Sequence, residues 1–276
     1  MPNSSSDPNK QFREENAKTI SSYANDKVWM DASHKWRDLA FDRRYMYNFS
    51  WLDRPIIQLP ADMVAFQELV WRIKPDLIIE TGIAHGGSIV LSASMLAMLD
   101  VADSVSSGQP YMPQNSKRRV LGIDIDIREH NRKALDEHPF SYLIDTFEGS
   151  STEDKMIARV REYASKHKTI LVCLDSNHTT EHVLAELNAY APLVSKESYC
   201  LVFDTVVEDL PDDMFSDRPW SKTDNPKVAV RQFLELCKEE KVLAADGAKC
   251  GFEIDQETED KLLLSSAPSG YLRRVI

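Results

Sequence analysis

Acidic residues stand at the ends of four short apolar segments, and they are the residues of this chain best placed to bind a ligand. The segments read as buried strands because each is a short, continuous apolar run. The acids and the segments that they follow are Glu80 after residues 77–79, Asp124 after residues 120–123, Asp175 after residues 169–174 and Asp204 after residues 199–203.

A glycine-rich turn joins the first of these strands to an apolar, helix-forming segment. After Glu80 the chain passes Gly82, Gly86, Gly87 and Ser88. Glycine allows the backbone to approach a ligand closely, and the following helix N-terminus presents free N–H groups. The spacing is not the G-x-G-x-x-G of dinucleotide enzymes, so an ordinary strand-to-helix turn is the alternative interpretation.

Asp124 lies at the tip of the second strand, where a carboxylate can accept hydrogen bonds from both hydroxyls of a ribose. Asp126 is the competing candidate, and Asp124 is preferred because it is nearer to the strand. Alternatively, the acid caps the helix that follows.

Asp175 and Asp204 follow the fourth and fifth predicted strands, and neighbouring parallel strands would bring their carboxylates together. Two carboxylates with waters make a site for Mg²⁺ or Ca²⁺, because hard cations take oxygen ligands. His178 follows Asp175 by three residues and could act as the general base on a substrate held there. Alternatively, both acids cap helices and His178 is an ordinary loop residue.

Residues 178–182 match H-x-x-E-H, the inverted zinc-protease pattern. His178, however, follows a strand directly instead of lying within a helix, and the sequence offers no clear third ligand. A zinc hydrolase using His178 and His182 is therefore a minor alternative.

The elements that must position these residues alternate along the chain. A third strand is predicted over residues 140–145, with a helix start near Ser151 or Thr152, and another helix over residues 179–190. Residues 59–75 also carry apolar side chains at helical spacing, ending before Pro75. Such alternation predicts an α/β fold with a parallel sheet and right-handed crossovers.

Three other segments complete the prediction. Residues 12–50 are helical and aromatic-rich, which suggests an N-terminal cap over the sheet, with most aromatic residues packed on the core. Residues 101–118 are predicted to be a surface loop, and residues 205–227 a long acidic loop that contains Trp220. Long loops beyond strand ends often form lids or binding walls.

Composition narrows the functional classes. The net charge of −11 disfavours nonspecific binding to nucleic acid. We expect no membrane span, because the sequence has no run of 18 apolar residues. We expect no signal peptide, because the N-terminal residues are polar. The four cysteines show no paired spacing, and Cys173 and Cys200 fall inside predicted strands, as in a cytoplasmic protein with reduced core thiols.

Taken together, the segments IIETGIAHGGS, VLGIDIDIR, GSS and LDSNHTTEHVLAELNAYAPLVSKESYCLVFDT, with NPKVAVRQFL further on, resemble the cephalosporin hydroxylase family. Members of this family are S-adenosylmethionine-dependent O-methyltransferases of the class I, Rossmann-like fold, and include rhamnosyl O-methyltransferases. The resemblance covers roughly residues 55–240, each motif being weak alone. Together with the N-terminal prediction, this gives a polar lead and helical cap over residues 1–54 and a methyltransferase domain over residues 55–276. The resemblance also implies a homo-oligomer.

The resemblance also implies roles for individual residues. In the family pattern the cofactor is lined by the glycine turn, by the acid after the second strand, by the serines after the third strand and by the fourth-strand acid. Here these positions are Glu80, Gly82, Gly86, Ser88, Asp124, Ser150, Ser151 and Asp175. Asp175 and Asp204 would hold Mg²⁺, and His178 occupies the place of the catalytic lysine of catechol-type relatives.

One position departs from the pattern. Metal-dependent relatives carry two adjacent polar or acidic ligands after the fifth strand, and the first of these is Phe203 here. Either one ligand is absent, or Glu208 or Asp209 replaces it from the loop.

The implied activity is methylation of a hydroxyl of a sugar or glycosylated natural product. Three other functions are less consistent with the sequence. Hydroxylation by non-haem iron requires two histidines and a carboxylate, and the chain has no H-x-D pair. A nicotinamide dehydrogenase would need a different glycine spacing. A non-catalytic binding protein would have no need of intact acidic and glycine positions.

Overall fold

The computed structural model describes residues 7–244 and 247–276 of the chain. Its α-helices are α1 (Pro8–Tyr23), α2 (Lys27–Asp42), α3 (Pro60–Ile73), α4 (Gly87–Ser107), α5 (Glu129–Asp136), α6 (Asp154–Ala164), α7 (Thr180–Tyr190), α8 (Pro226–Lys238) and α9 (Gln256–Lys261). Its strands are β1 (Phe49–Trp51), β2 (Arg54–Ile56), β3 (Leu77–Thr81), β4 (Arg119–Asp124), β5 (Ile144–Glu148), β6 (Ile170–Leu174), β7 (Tyr199–Val202), β8 (Phe252–Ile254) and β9 (Tyr271–Arg274).

Within the described residues, seven strands form one sheet in the order β5-β4-β3-β6-β7-β9-β8. Strands β3 to β7 are parallel, and β9 runs antiparallel to both β7 and β8. The chain moves outward in one direction through β3, β4 and β5 and then returns to the other side of β3 with β6. Ligands of open α/β sheets bind at such a reversal, beyond the carboxyl ends of the strands.

Helices cover both faces of the sheet because its central strands are apolar on both faces. Successive side chains of one strand point to opposite faces of the sheet and therefore pack against different helices. Ile79 and Val172 pack with Leu187 of α7 on one face, whereas Ile78 packs with Leu96 of α4 on the other. The predicted Rossmann-like α/β fold is confirmed.

Most predicted elements appear with small shifts in their bounds, but the third strand was misplaced. The structure has a short 3₁₀ turn at Ser141–Leu143, and β5 follows at Ile144–Glu148. The apolar residues before Ile144 misled the prediction, since they pack against the core from a turn and not from a strand.

The predicted loop over residues 101–118 was also too long. Helix α4 continues to Ser107 and ends at Gly108, whose φ of 65° lies in the left-handed region that glycine adopts readily. Among the described helices, α4 alone is long and apolar enough to cross a membrane, but 56% of that apolar segment is buried inside the protein.

The N-terminal segment is helical as predicted, but it packs less than expected. Helix α1 has no buried residue, and Trp29 and Trp36 remain about half exposed. These two rings contact Tyr23 and Tyr45 of the same segment. The C-terminal strands β8 and β9 were not predicted, because Phe252–Ile254 and Tyr271–Arg274 are short and carry charged residues.

Candidate active site

Four acidic residues lie along the carboxyl edge of four adjacent strands. Glu80 and Asp124 belong to β3 and β4, and Asp175 and Asp204 lie just beyond β6 and β7. The Asp175 amide donates to the carbonyl of Thr81 over 3.0 Å, so the chain is still in register as it leaves β6. The sheet order therefore places in one row four acids that are far apart in sequence.

A cleft of about 650 Å³ opens above this edge. Its floor includes the glycine turn and the residues after β6 and β7. One wall comes from the end of α2 and the segment before α3, and the other from the loop after β7. Residues of the two walls include Phe41, Arg44, Tyr47 and Gln58 on one side, and Phe215, Arg218 and Trp220 on the other.

Asp175, His178 and Asp204 converge on this floor, as predicted. One ligand atom of each lies within 4.8 Å of the others. His178 Nε2 is 3.0 Å from a carboxylate oxygen of Asp204, and the imidazole also meets the ring of Trp220 edge-on, with centroids 4.5 Å apart. This set of oxygen and nitrogen atoms is suited to a divalent cation.

The electrostatics of the cluster also favour a cation. Burial, and then the nearby carboxylates of Asp204 and Glu80, raise the pKa of Asp175 well above its usual range. Gln58 donates from Nε2 to Asp175 Oδ2 over a long 3.5 Å. Such repulsion between acids is relieved when a cation binds between them.

The glycine turn is fitted closely against these residues. Gly82 has φ of 87°, and a Cβ there would lie only 2.1 Å from the carbonyl oxygen of Asp175. The turn is fixed from outside by Arg54, which donates to the carbonyl of His85, and by Asn131, which donates to that of Ala84. Gly82 is thus required for close packing of the end of β3 against the end of β6, independently of any contact with a ligand.

Glu80 is buried at the base of the turn, with only 3% of its surface exposed. It accepts a hydrogen bond from the Ser88 hydroxyl at the start of α4. Burial raises the pKa of Glu80 to about 8, so in the free protein this side chain carries a proton at neutral pH.

Asp124 is partly exposed and holds the turn from the neighbouring strand. Its Oδ2 accepts from the amides of Ile83 and Ala84 at 2.7 and 3.3 Å, and its Oδ1 accepts from the amide of Asp126 at 3.1 Å. Asp126 itself is exposed. Asp124 therefore shapes the turn, and its Oδ1, which accepts from one amide only, keeps a second lone pair for a ribose hydroxyl.

Ser150 and Ser151, predicted to border the adenine, lie in the loop between β5 and α6. Ser150 Oγ lies 3.1 Å from Thr152 Oγ1. Ser151 is buried, and its Oγ is 3.2 Å from His182 Nε2. His182 thus faces the β5–α6 loop, whereas His178 faces Asp204, so the two histidines of H-x-x-E-H do not share a ligand site. The zinc-hydrolase alternative is wrong on this geometry.

Neither acid suggested as a replacement at Phe203 faces the cation site. Glu208 forms a two-point ion pair with Arg231 at 2.6 and 2.8 Å, and Asp209 pairs with Lys227 at 2.8 and 3.0 Å. Phe203 is buried in the core beside the cleft. Among the described residues, the third group that could reach a cation between the two aspartates is therefore His178 and not a loop acid.

Sequence reasoning missed the wall formed by residues 41–58, including Gln58. Its members are separated from the strand-end motifs and follow no recognisable spacing. Trp220 was noticed only as part of a long loop, and its contact with His178 could not be anticipated from the sequence.

The strand order, the glycine turn and the row of acids together define a class I, Rossmann-like methyltransferase. The family model described as "Rhamnosyl O-methyltransferase/CmcI" matches residues 43–275, and the chain belongs to this family. It is therefore an O-methyltransferase by family, as the sequence predicted.

Curated relatives and solved structures agree with this assignment. The chain is 29% identical over 220 residues to proteins named rhamnosyl O-methyltransferase from Mycobacterium tuberculosis (strain ATCC 25618 / H37Rv) and Mycobacterium bovis (strain BCG / Pasteur 1173P2), covering 78% of this chain and 73% of each relative. A CmcI structure described as Mg-SAM superposes with a TM-score of 0.51 at 15% identity, over 83% of this chain and 78% of that one. An apo-structure of CmcI gives the same TM-score at 14% identity, over 83% and 77%. These two structures support the fold.

Proposed function

We propose that this protein transfers the methyl group of S-adenosylmethionine to a hydroxyl of a sugar, either free or attached to a natural product. The observation that carries the proposal is the convergence of Asp175, His178 and Asp204 within 4.8 Å on the floor of a large cleft. The glycine turn with Glu80 and Asp124 adjoins this cluster. A cofactor site and a cation site thus meet at one edge of the sheet.

The residues present fit both absent groups. Asp124 and the amides at the N-terminus of α4 suit a ribose and the polar end of the cofactor. Asp175 and Asp204 would hold Mg²⁺, with Ser150 and Ser151 bordering the adenine. When bound, the sulfonium supplies an activated methyl group, and the cation lowers the pKa of a nearby hydroxyl.

The chain's own residues then have distinct tasks. The walls at residues 41–58 and 214–220 would orient the acceptor and exclude water, so that its oxygen approaches in line. His178 would take the acceptor proton at Nδ1, because its other ring nitrogen, Nε2, lies 3.0 Å from an Asp204 carboxylate oxygen and is the one that donates to it. Asp204 would accept the hydrogen bond from Nε2 and so hold the ring in one orientation.

The family relatives support the acceptor class, because the curated relatives are named for rhamnosyl O-methylation. Tyr47 and Trp220 also line the cleft, so aromatic rings are available there to pack against an acceptor. We also propose a homo-oligomer in the cytoplasm, on the strength of the resemblance and of Cys173 and Cys200, which are buried inside β6 and β7.

Calorimetry with S-adenosylhomocysteine, with NAD and with Fe(II) plus 2-oxoglutarate distinguishes the candidate classes in one series. We expect binding of S-adenosylhomocysteine alone. Methyl transfer to sugar acceptors should then stop in EDTA and return with Mg²⁺, and Asp175→Ala should behave like metal removal. Binding of NAD, or failure to bind S-adenosylhomocysteine, would reject the proposal. Full turnover in EDTA would reject only the part of the proposal that requires Mg²⁺.

A further inference from the structure

One face of helix α7 carries a row of polar side chains that have no place in the reaction described above. His182, Glu186 and Tyr190 are four residues apart and therefore lie on the same side of the helix. Glu186 is fully buried, and Tyr190 is also completely inaccessible. Polar groups in such a position must find partners or destabilise the protein.

The partners of this row lie in two different loops. His182 Nε2 is 3.2 Å from Ser151 Oγ in the β5–α6 loop and 3.1 Å from Ser176 Oγ in the β6–α7 loop. Tyr190 donates from its hydroxyl to the main-chain carbonyl of Ser151. One helix face thus holds the loop assigned to the adenine and the loop that carries Asp175.

The proton arrangement follows from the Ser176 contacts. The Ser176 hydroxyl donates to Glu186 Oε1 over 2.7 Å, so its oxygen is left to accept from the His182 ring. The other oxygen of Glu186 is buried and has no hydrogen-bond partner. Glu186 is therefore held in place by its contacts with Ser176 and with His182, the latter at 3.4 Å.

We propose that His182 is a positioning residue that sets the cofactor loop and the cation-binding loop in a common register. The inference rests on the proposed function, since it takes Ser151 as part of the cofactor site and Asp175 as a cation ligand. His182 is not among the residues assigned to either ligand. It acts through the hydroxyls of Ser151 and Ser176, which are 25 residues apart in sequence and are joined through a single ring nitrogen.

A matched pair of variants tests this role. His182→Gln keeps a donor amide at the distance of Nε2, whereas His182→Leu has a similar volume and no polar atom. Affinities for S-adenosylhomocysteine and for Mg²⁺ are measured by calorimetry, and the melting temperature of each variant is recorded. We expect His182→Leu to bind both ligands about 10-fold more weakly and His182→Gln to remain within about threefold of wild type. His130→Ala, an exposed histidine on α5, serves as the control.

The outcomes separate this proposal from the one on which it rests. If the wild type fails to bind S-adenosylhomocysteine, both are overturned. If the wild type binds S-adenosylhomocysteine and His182→Leu binds both ligands as tightly as the wild type does, only the positioning role is overturned. Equal losses of ligand affinity in His182→Gln and His182→Leu would also overturn it, because the effect would then come from packing of the imidazole ring and not from its hydrogen bonds. If His182→Leu does not fold, Ser176→Ala removes one of the contacts at an exposed position and should weaken Mg²⁺ binding.

Discussion

At the scale of single residues, the arrangement around His178 determines what chemistry is available. Its Nε2 lies 3.0 Å from Asp204, and its ring is held edge-on against Trp220. A base fixed on two sides loses little entropy on reaching a substrate hydroxyl, which is the contribution expected of positioning. The same proximity would also allow His178 to ligate the cation, so its two possible roles must be separated by experiment.

Replacing His178 tests which role it has. His178→Ala should retain S-adenosylhomocysteine and Mg²⁺ binding while turnover falls by roughly 10²–10⁴-fold, the usual contribution of general acid–base catalysis. Calorimetry and steady-state kinetics measure the two effects separately. Full activity in the variant would reject the proposed mechanism, and loss of Mg²⁺ binding would identify His178 as a ligand.

Asp124 is expected to contribute to cofactor binding both directly and through the turn. Asp124→Ala removes a charged acceptor and frees the amides of Ile83 and Ala84. We expect S-adenosylhomocysteine affinity to fall by about 1–3 kcal/mol. Asp126→Ala is the matched control and should bind normally. The opposite result, with Asp126 as the sensitive residue, would move the ribose contact to that position.

At the scale of secondary-structure elements, the β3–α4 turn lies between the proposed cofactor and cation sites. Gly82→Ala would place a methyl group against the Asp175 carbonyl in a conformation with φ of 87°. It should cost more than about 2 kcal/mol in the free energy of unfolding, from the clash and from the left-handed backbone.

Gly108→Ala provides the comparison for this substitution. Gly108 also has positive φ, at 65°, but nothing lies within 4 Å of a Cβ built there. Gly108→Ala should lower the free energy of unfolding by only about 1 kcal/mol, which is the cost of the left-handed backbone alone. Denaturant unfolding measures both variants, and equal costs would show that close packing against Asp175 contributes nothing.

At the scale of the whole molecule, buried acids make stability depend on pH. The pKa of Glu80 rises from 4.5 to about 8 on burial. Between these values the native protein keeps a proton that the unfolded chain has lost, so stability decreases as pH rises. This direction is opposite to that of an acid in a native ion pair.

Glu80→Gln removes this titration while leaving an acceptor for the Ser88 hydroxyl. We expect the free energy of unfolding of the wild type to fall relative to that of the variant by roughly 1 kcal/mol per pH unit between about pH 5.5 and 7.5. Unfolding in urea, without ligands, measures the difference, and the exposed Glu181→Gln is the control. Parallel curves for wild type and Glu80→Gln would mean that Glu80 is ionised in the native state.

The amino-acid sequence alone determined the class of fold and the row of acids. Buried parallel strands are continuous apolar runs, and an acid at the end of such a run must lie at the carboxyl edge of the sheet. For this reason Glu80, Asp124, Asp175 and Asp204 could be identified without coordinates. The central strands were found for the same reason, whereas β8 and β9 were not, because they are short and carry charges.

Only the tertiary structure decided which side chains meet. Ion pairs with Arg231 and Lys227 remove Glu208 and Asp209 from the cation site, and no local pattern near residues 208–209 reveals those partners. His182 likewise looked like a possible zinc ligand until α7 was seen to turn it toward Ser151 and Ser176. Contacts of this kind depend on the packing of elements distant in sequence, whereas strand and helix patterns arise from neighbouring residues.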